Sequence, residues 1–525
     1  MGKIFATFDR LSFRPIDFTG VRVVLSRRAH RMFYRLCGGS VHVLFAASEC
    51  VPFSKTGGLA DVVGSLPRAV AALGHQATVY LPLYRQTQLE NAVTVIPSIT
   101  VPFDDRYRFC SVVDGGRLHG VQYYFIDYPP FYDRDALYGT ALGDYHDNPE
   151  RFALFCRAVL EASKILGVPD VFHCHDWQTA LIPVLLRTLY EEDPSLGGTP
   201  TVFTIHNIGY QGIFSPDTLP LLMLPWDLFA ISKLEFYGKV NLLKGALTYS
   251  DFITTVSRRY AQEIQTAEYG FGLDGVLRSR AASVSGILNG VDYEEWNPTT
   301  DRYLKATYSP QSMEGKQACR GDLLRCFGLE GESTAPVVGV VSRFAAQKGF
   351  DLISLAADRM AREDMRVCVL GSGDKAYEDL FRRLARQYPT RFAARFGYDN
   401  EMAHKVEAGS DIFLMPSRYE PCGLNQIYSL KYGTVPVVRA TGGLDDTIET
   451  YDVRTGKGTG FKFHEYTPEA LLSCMRAALA LFAKPREWRK LMQNGMERDF
   501  SWTVAGREYL KIYERVRASR PAGIS

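Results

Sequence analysis

The chain lacks any long apolar run, although 46% of its 525 residues are hydrophobic. A helix that crosses a bilayer needs roughly 20 consecutive apolar residues, so no membrane partner is expected. It also lacks a dominant charge, because 60 lysine and arginine residues face 58 aspartate and glutamate residues. No global field therefore attracts nucleic acid, and any anion-binding site must be local.

The cysteines form no Cys-x-x-Cys pair. Ten of them are scattered along the chain, and the two closest in sequence are Cys319 and Cys326. This distribution is typical of a reduced, cytoplasmic protein and predicts neither a disulfide scaffold nor a zinc site.

Residues 1–40 differ from the rest in composition. They carry eight lysine and arginine residues against only Asp9 and Asp17. Such a basic, acid-poor segment resembles a transit peptide, which would place the protein in a plastid, but it is not rich in serine. The other interpretation is a start codon assigned too early, with Met32 as the true start. Either way, we expect a separate N-terminal extension.

From residue 41, short apolar runs alternate with stretches of helical periodicity, which predicts β-α-β units and largely parallel sheets. Segments 93–103 and 108–126 predict an inserted hairpin region with a turn at residues 114–116. The polar stretch 293–333 is broken by proline and glycine and predicts a join. We therefore expect an α/β protein of two doubly wound, Rossmann-like domains facing a cleft. The predicted boundaries are 41–292 for the first domain and 293–499 for the linker with the second.

One pattern, Thr-Gly-Gly-Leu-x-Asp, occurs twice, at residues 56–61 and 441–446. Paired glycines at the start of a helix let backbone N–H groups approach a bound anion. Lys55, directly before the first copy, can add an ammonium group for a diphosphate, and the alternative is a solvated surface lysine. Two copies in the two halves favour a pair of domains around one phosphorylated ligand.

Two histidines lie at the end of a predicted strand, in His173-Cys174-His175-Asp176-Trp177, and His206-Asn207 ends the next strand. A histidine at the carboxyl end of a strand can hydrogen-bond a ligand hydroxyl, a role that suits His175. His173 fits a satisfied core histidine better. No third ligand is nearby in sequence, so no metal is expected.

Arg343 and Lys348 flank the turn after the predicted strand 336–342. Two cations there can clamp a diphosphate leaving group, and ordinary surface charge is the alternative. Glu420 follows another apolar run, where its carboxylate can bind a sugar hydroxyl or serve as a charge at a helix start. Cys422 fits packing better than nucleophilic attack, because no histidine lies beside it in sequence. Gly371-Ser372-Gly373 fits a simple turn.

Together these motifs resemble the bacterial glycogen synthase and plant starch synthase family. The resemblance covers residues 41–518 and excludes residues 1–40. It rests on the motifs Lys55-Thr-Gly-Gly-Leu-Ala-Asp61, His173-Cys-His-Asp-Trp177, Asn289-Gly-Val-Asp-Tyr293, Ser342-Arg-Phe-Ala-Ala-Gln-Lys348, Glu420-Pro-Cys-Gly-Leu424 and Thr441-Gly-Gly-Leu444.

The resemblance implies the GT-B glycosyltransferase fold, with a terminal helix within 500–518 that returns to the first domain. It implies metal-free transfer of glucose from ADP-glucose to an α-1,4-glucan such as glycogen, with retention of configuration and without a cofactor. Asp147 and Asn148 resemble a cleft-facing pair. Tyr428 stands where many relatives of the fold carry a second glutamate. The implied catalytic residues are His175, Arg343, Lys348 and Glu420. The implied donor contacts are Lys55, Gly57, Gly58, Asp61, Gln347, Gly423, Leu424, Thr441, Gly442 and Gly443.

Two alternatives stay open. Another transferase of this fold would use UDP-glucose, because the sequence does not fix the base of the donor. A non-catalytic relative would bind glucan without turnover.

Overall fold

The computed structural model describes residues 39–103, 106–140, 142–331 and 334–519. From Val41 the chain forms one compact unit. Nearly all of the basic N-terminal segment lies outside the described residues, so its two interpretations remain predictions.

A nine-stranded sheet forms the centre of the first domain, in the order β14-β13-β9-β8-β1-β2-β5-β4-β3. Seven of these strands, β14 to β5 in that order, run parallel, and β4 and β3 add an antiparallel edge. The strands within this half are β1 His42–Ala46, β2 Gln76–Pro82, β3 Val93–Phe103, β4 Arg106–Leu118, β5 Val121–Asp127, β6 Gly139–Thr140, β7 Gly143–Asp144, β8 Val171–His175, β9 Thr201–Ile205, β10 Ile213–Phe214, β11 Glu235–Phe236, β12 Lys239–Asn241, β13 Phe252–Thr255 and β14 Val284–Gly286.

A six-stranded parallel sheet forms the centre of the second domain, in the order β17-β16-β15-β18-β19-β20. Its strands are β15 Val337–Val341, β16 Arg366–Gly371, β17 Phe392–Phe396, β18 Ile412–Met415, β19 Val435–Arg439 and β20 Phe461–Phe463. Both sheets are doubly wound, and the strand order reverses between β1 and β8 in the first and between β15 and β18 in the second. The carboxyl ends of strands at such reversals are where ligands bind in open α/β sheets.

Helices cover the sheets because buried parallel strands need apolar cover on both faces. The α-helices of the first half are Gly58–Ala72, Pro129–Tyr132, Asn148–Leu166, Leu181–Leu186, Thr218–Leu221, Leu242–Tyr249, Arg258–Glu263 and Asp274–Ser279. Those that follow are Glu314–Phe327, Phe350–Met360, Lys375–Gln387, Asn400–Gly409, Asn425–Lys431, Gly442–Thr447, Pro468–Phe482, Pro485–Met496 and Trp502–Ser519.

Two local predictions were wrong. Residues 114–116 lie inside β4, at a register irregularity against β5, and not in a turn. A glycine with positive φ at Gly116 allows such a bulge within a strand. Residues 121–127 form β5, which pairs in parallel with β2 and so belongs to the main sheet as well as to the hairpin region.

The predicted join also contains a helix that sequence patterning missed, Glu314–Phe327. Its buried face includes the charged side chain of Lys316. The ammonium of Lys316 donates to the carbonyls of Ala408 and Tyr432 at 3.0 Å and to the hydroxyl of Thr434 at 2.8 Å. Burial lowers the pKa of Lys316 to about 8.

The final helix, Trp502–Ser519, packs against the first sheet. Tyr513 on this helix is fully buried, and its hydroxyl oxygen lies 2.8 Å from Nδ1 of His173. Nε2 of the same histidine lies 2.6 Å from Oγ1 of Thr204. His173 is therefore a satisfied core histidine, as the sequence predicted.

Candidate active site

The loop after β1 carries the first glycine motif. A buried carboxylate, that of Glu49, accepts hydrogen bonds from the N–H groups of Thr56 and Gly57, the latter at 3.2 Å, and from the Thr56 hydroxyl at 2.7 Å. Lys55 pairs with Asp61 at 2.7 Å on the exposed side of the loop. The first two N–H groups of the motif are thus held by a protein carboxylate in this conformation.

His175 ends β8, beside β1 at the reversal point. Its Nδ1 lies 2.9 Å from Nε2 of His206, and its own Nε2 is buried without a hydrogen-bond partner in the described structure. Burial and the neighbouring rings of His173 and His206 hold the pKa of His175 well below its ordinary value. His175 is therefore a neutral imidazole with one polar atom left for a ligand.

The second domain brings a cation and a carboxylate together at its own reversal point. Lys348 follows β15 and contacts both oxygens of Glu420, which follows β18, at 2.9 and 2.7 Å. Ser417 donates to the same carboxylate at 3.0 Å, and Glu420 is 5% exposed. The other two residues predicted on the loop after β15 do not contact Glu420 in this way. Arg343 is exposed on that loop. The carbonyl of Gln347 accepts the N–H of Arg418 at 2.8 Å.

The second glycine motif packs directly on the loop that begins at Glu420. The N–H of Gly443 donates to the carbonyl of Glu420 at 3.1 Å. A Cβ on Gly442 would lie 1.9 Å from that same oxygen, and one on Gly443 would lie 1.9 Å from the carbonyl of Cys422. Only glycine permits this approach. The N–H of Gly442 donates to Glu263, so neither N–H is open to an anion in this conformation.

Other residues singled out in the sequence have structural partners. Asn148 is buried, donates to the Tyr138 carbonyl at 2.8 Å and accepts from Arg151 at 2.7 Å. Asp147 forms an ion pair with Arg134. Burial raises the pKa of Cys422 to about 12, which fits packing and not nucleophilic attack.

Glycines 371 and 373 allow the loop after β16 to lie against residues 342–344. A Cβ on Gly371 would be 1.8 Å from the carbonyl of Ser342, and the N–H of Phe344 donates to the Ser372 carbonyl at 2.8 Å. This glycine pair therefore serves packing.

A cavity of about 470 Å³ opens between the two domains. Among the predicted donor contacts, Lys55, Asp61 and Leu424 line it. Its lining also includes Trp296 and Tyr398, which sequence reasoning missed. The Tyr398 side chain is 84% exposed, and Trp296 stacks on Tyr428 with ring centroids 3.9 Å apart. The cavity thus offers aromatic faces beside a lysine.

Within the described residues, no cluster of three or more histidine, cysteine, aspartate or glutamate side chains has the arrangement of a metal site. Over the same part of the chain, no helix is both long and apolar enough to span a bilayer.

Two doubly wound domains with polar groups at facing reversal points define a glycosyltransferase of the GT-B fold, as expected. Residues 42–279 match the family model described as starch synthase catalytic domain, and residues 328–494 match that of glycosyl transferases group 1. The chain belongs to the glycogen synthase and starch synthase family, which confirms the resemblance seen in the sequence.

Its relatives cover nearly the same length. A glycogen synthase of Koribacter versatilis (strain Ellin345) is 69% identical over 91% of this chain and 99% of its own. A glycogen synthase of Anaeromyxobacter sp. (strain Fw109-5) is 46% identical over 91% of this chain and 100% of its own. The catalytic domain of starch synthase IV from Arabidopsis thaliana, solved with ADP and acarbose, superimposes with a TM-score of 0.83 at 32% identity. That alignment covers 91% of this chain and 100% of the plant domain.

Proposed function

We propose that this protein transfers glucose from ADP-glucose to the non-reducing end of an α-1,4-glucan such as glycogen, with retention of configuration and without metal or cofactor. The ADP in the related plant structure and the names of the bacterial relatives support the donor and acceptor classes. The observation that carries the proposal is the Lys348–Glu420 pair of the second domain, together with the unpartnered Nε2 of His175 in the first.

A chain of contacts joins the two halves of this site. His175 contacts His206, and Gly209, three residues further along, lies beside Tyr419, whose hydroxyl would be 3.5 Å from a Cβ at that position and which precedes Glu420. Phe271 of the first domain also packs edge-on against Tyr419, with ring centroids 5.9 Å apart. A sugar between β8 and β18 would therefore touch both a neutral histidine and a carboxylate.

Breaking the bond between glucose and phosphate leaves negative charge on the diphosphate, so the chief chemical need is for cations aimed at it. Lys348, Arg343 and Lys55 supply these from both domains. In the structure Lys348 pairs with Glu420 and Lys55 with Asp61. We infer that the diphosphate competes with these carboxylates for the two ammonium groups. The first glycine motif adds the positive end of helix Gly58–Ala72.

Nε2 of His175 is suited to donate to a glucose hydroxyl. If Nε2 of His206 carries a proton and donates to Nδ1 of His175, then Nε2 of His175 must be the protonated nitrogen of the neutral ring. A buried donor without a partner gains a hydrogen bond when the sugar hydroxyl arrives. His175 therefore orients the donor sugar, and its low pKa prevents it from acting as a cationic acid.

Glu420 is poorly placed to act as a covalent nucleophile. The Ser417 hydroxyl donates to one carboxylate oxygen, and this contact persists when the diphosphate draws Lys348 away, so it still stabilises the negative charge that a nucleophile would donate. We propose attack of the acceptor hydroxyl on the face from which the diphosphate departs, with a leaving phosphate oxygen taking the acceptor proton. Isolation of a glucosyl ester on Glu420 would contradict this mechanism.

The decisive experiment is glucosyl transfer to glycogen with ADP-glucose and UDP-glucose compared in parallel, in EDTA. Incorporation from ADP-glucose supports the proposal, and an α-linked product identified by NMR supports retention. Preference for UDP-glucose would assign another transferase of this fold. Glycogen binding without transfer from either donor would indicate a non-catalytic relative.

We also propose a cytoplasmic location, supported by free thiols at all nine cysteines of the described residues. Fractionation of the source cells tests this, and recovery from a plastid would favour the transit-peptide interpretation of residues 1–40.

A further inference from the structure

Two short helices meet where the domains touch. Arg258–Glu263 follows β13 of the first domain, and Gly442–Thr447 follows β19 of the second and begins at the second glycine motif. The first N–H groups of any helix have no partner within that helix and need acceptors from elsewhere. Here each helix obtains an acceptor from the other domain.

Glu263, the last residue of its helix, supplies the first acceptor. Its two carboxylate oxygens lie 3.1 Å from the nitrogen of Gly442 and accept from the hydroxyl of Thr441 at 3.2 and 3.3 Å. Glu263 is 6% exposed, so this contact is largely sealed from water. The carboxylate thus caps the start of the second-domain helix.

Asp446, near the end of that second helix, supplies the reciprocal acceptor. Its carboxylate accepts the N–H of Arg259 at 2.9 Å, at the start of the first-domain helix. Asp446 is exposed, so this contact is the weaker of the two. A carboxylate near the C-terminal end of its own helix is disfavoured by the negative end of the helix dipole. Glu263 and Asp446 each gain a favourable hydrogen bond only while the two helices stay together.

The paired helices bear directly on the loop that carries Glu420. The N–H of Gly443 donates to the Glu420 carbonyl at 3.1 Å. From the first domain, the buried hydroxyl of Ser257 donates to the Pro421 carbonyl at 2.6 Å. The first domain therefore holds the carbonyls on either side of Pro421, that of Pro421 directly and that of Glu420 through Gly442 and Gly443.

We propose that Glu263 and Asp446 form a reciprocal clasp that holds the two domains closed and thereby positions Glu420. The catalytic part of this inference rests on the proposed function, whereas the closure does not. The clasp gives Thr441 and Gly442 a role in domain closure instead of donor binding. Glu263 is a positioning residue, since it acts on the reacting groups through the glycine motif.

The structural test is amide hydrogen exchange by NMR or mass spectrometry on the unliganded, full-length protein. In Glu263→Ala, exchange at Gly442 should become about 5- to 30-fold faster, the usual effect of losing a helix cap. The distinguishing result is faster exchange at the backbone N–H of Arg259 as well, because that N–H donates to Asp446, whereas only the Arg259 side chain contacts Glu263, at 3.4 Å. Asp446→Ala should likewise deprotect Gly442, and small-angle scattering should show a larger radius of gyration for both variants.

The kinetic test uses the same variants with ADP-glucose and glycogen. Misplacing a catalytic group by about 1 Å can cost roughly 100-fold in rate, so kcat should fall by up to that factor in Glu263→Ala and by less in Asp446→Ala. The double variant should be no slower than Glu263→Ala alone, because the two contacts act as one unit. If Glu263→Ala fails to fold, Glu263→Gln, which keeps one acceptor oxygen, replaces it in both tests.

Glu469→Ala is the matched control, because Glu469 pairs with Arg359 on the surface at 2.8 Å. It should leave exchange, radius and kcat at wild-type values. The proposal is overturned if Glu263→Ala deprotects Gly442 but leaves Arg259 and the radius of gyration unchanged, since Glu263 would then be a local cap. If the wild type has no transferase activity, the exchange and scattering results still decide whether the clasp exists.

Discussion

Replacement of Lys348 by methionine is the sharpest test of the site, because it removes one charge and little volume. The transition state loses a cation at the leaving phosphate, which by analogy with loss of an oxyanion donor costs about 10²- to 10³-fold in kcat. The folded protein also loses the partner of a carboxylate that is 5% exposed. Breaking a fully buried pair costs roughly 3–5 kcal/mol. The Lys348 side chain is 25% exposed, so we expect about 2–3 kcal/mol of unfolding free energy.

A double variant separates the effect of Lys348→Met on unfolding free energy from its effect on kcat. Lys348→Met with Glu420→Gln leaves no unpaired charge, so most of the lost unfolding free energy should return while kcat stays low. Lys375→Met is the control, because that lysine pairs with Asp379 at 3.0 Å on an exposed helix face and its side chain is 85% exposed. Steady-state kinetics and urea unfolding measure both effects. Near wild-type turnover in Lys348→Met would refute the assignment of this lysine to the leaving group.

Three further predictions concern the surroundings of the site. Tyr398→Ala should raise the KM for the nucleotide sugar about 5- to 150-fold, the range for loss of one base-stacking ring, with the melting temperature unchanged because the side chain is 84% exposed. Trp296→Ala should lower the unfolding free energy by about 2–4 kcal/mol in urea, because its ring is stacked between two others at 3.8 and 3.9 Å. Burial raises the pKa of Asp176 from 3.8 to about 7. Between about pH 4 and pH 7 the unfolded chain ionises this carboxyl while the folded protein keeps it protonated, so stability should fall as pH rises through that range and level off above it. Asp176→Asn should therefore be more stable than wild type above pH 7 by up to about 4 kcal/mol, at 1.36 kcal/mol per pH unit. The advantage should shrink towards pH 4, and equal unfolding curves at high pH would contradict the assignment.

The sequence predicted the two sheets because buried parallel strands appear as short, continuous apolar runs, as in Val337–Val341 and Ile412–Met415. The polar residues that follow such strands were found for the same reason, since the carboxyl ends of parallel strands share one edge. Lys348 and Glu420 are 72 residues apart, yet each was singled out from its position after a strand. Their direct contact was not predicted.

The missed residues share a physical cause, which is that their partners are distant in sequence. Trp296 lies in a polar stretch, and its partner rings come from two helices more than 100 residues later. Glu263 is one of several charged residues on a short helix. Its carboxylate accepts the N–H of Gly442 only when the second domain packs against the first. The helix Glu314–Phe327 was missed because a lysine on its buried face interrupts the apolar pattern. That lysine, Lys316, donates to carbonyls about 100 residues later in the chain.

The same contacts explain how a nearly neutral chain can hold the proposed diphosphate site. Each reversal point carries a cation whose carboxylate partner is already in place, Lys55 with Asp61 and Lys348 with Glu420. In addition, a buried glutamate occupies the leading N–H groups of each glycine motif, Glu49 in the first and Glu263 in the second. The site is therefore neutralised locally and needs no strong field to form. In the proposed mechanism a donor diphosphate replaces a carboxylate at each lysine, so binding energy is spent in both domains at once. A ligand that reaches only one lysine should then gain little from closure.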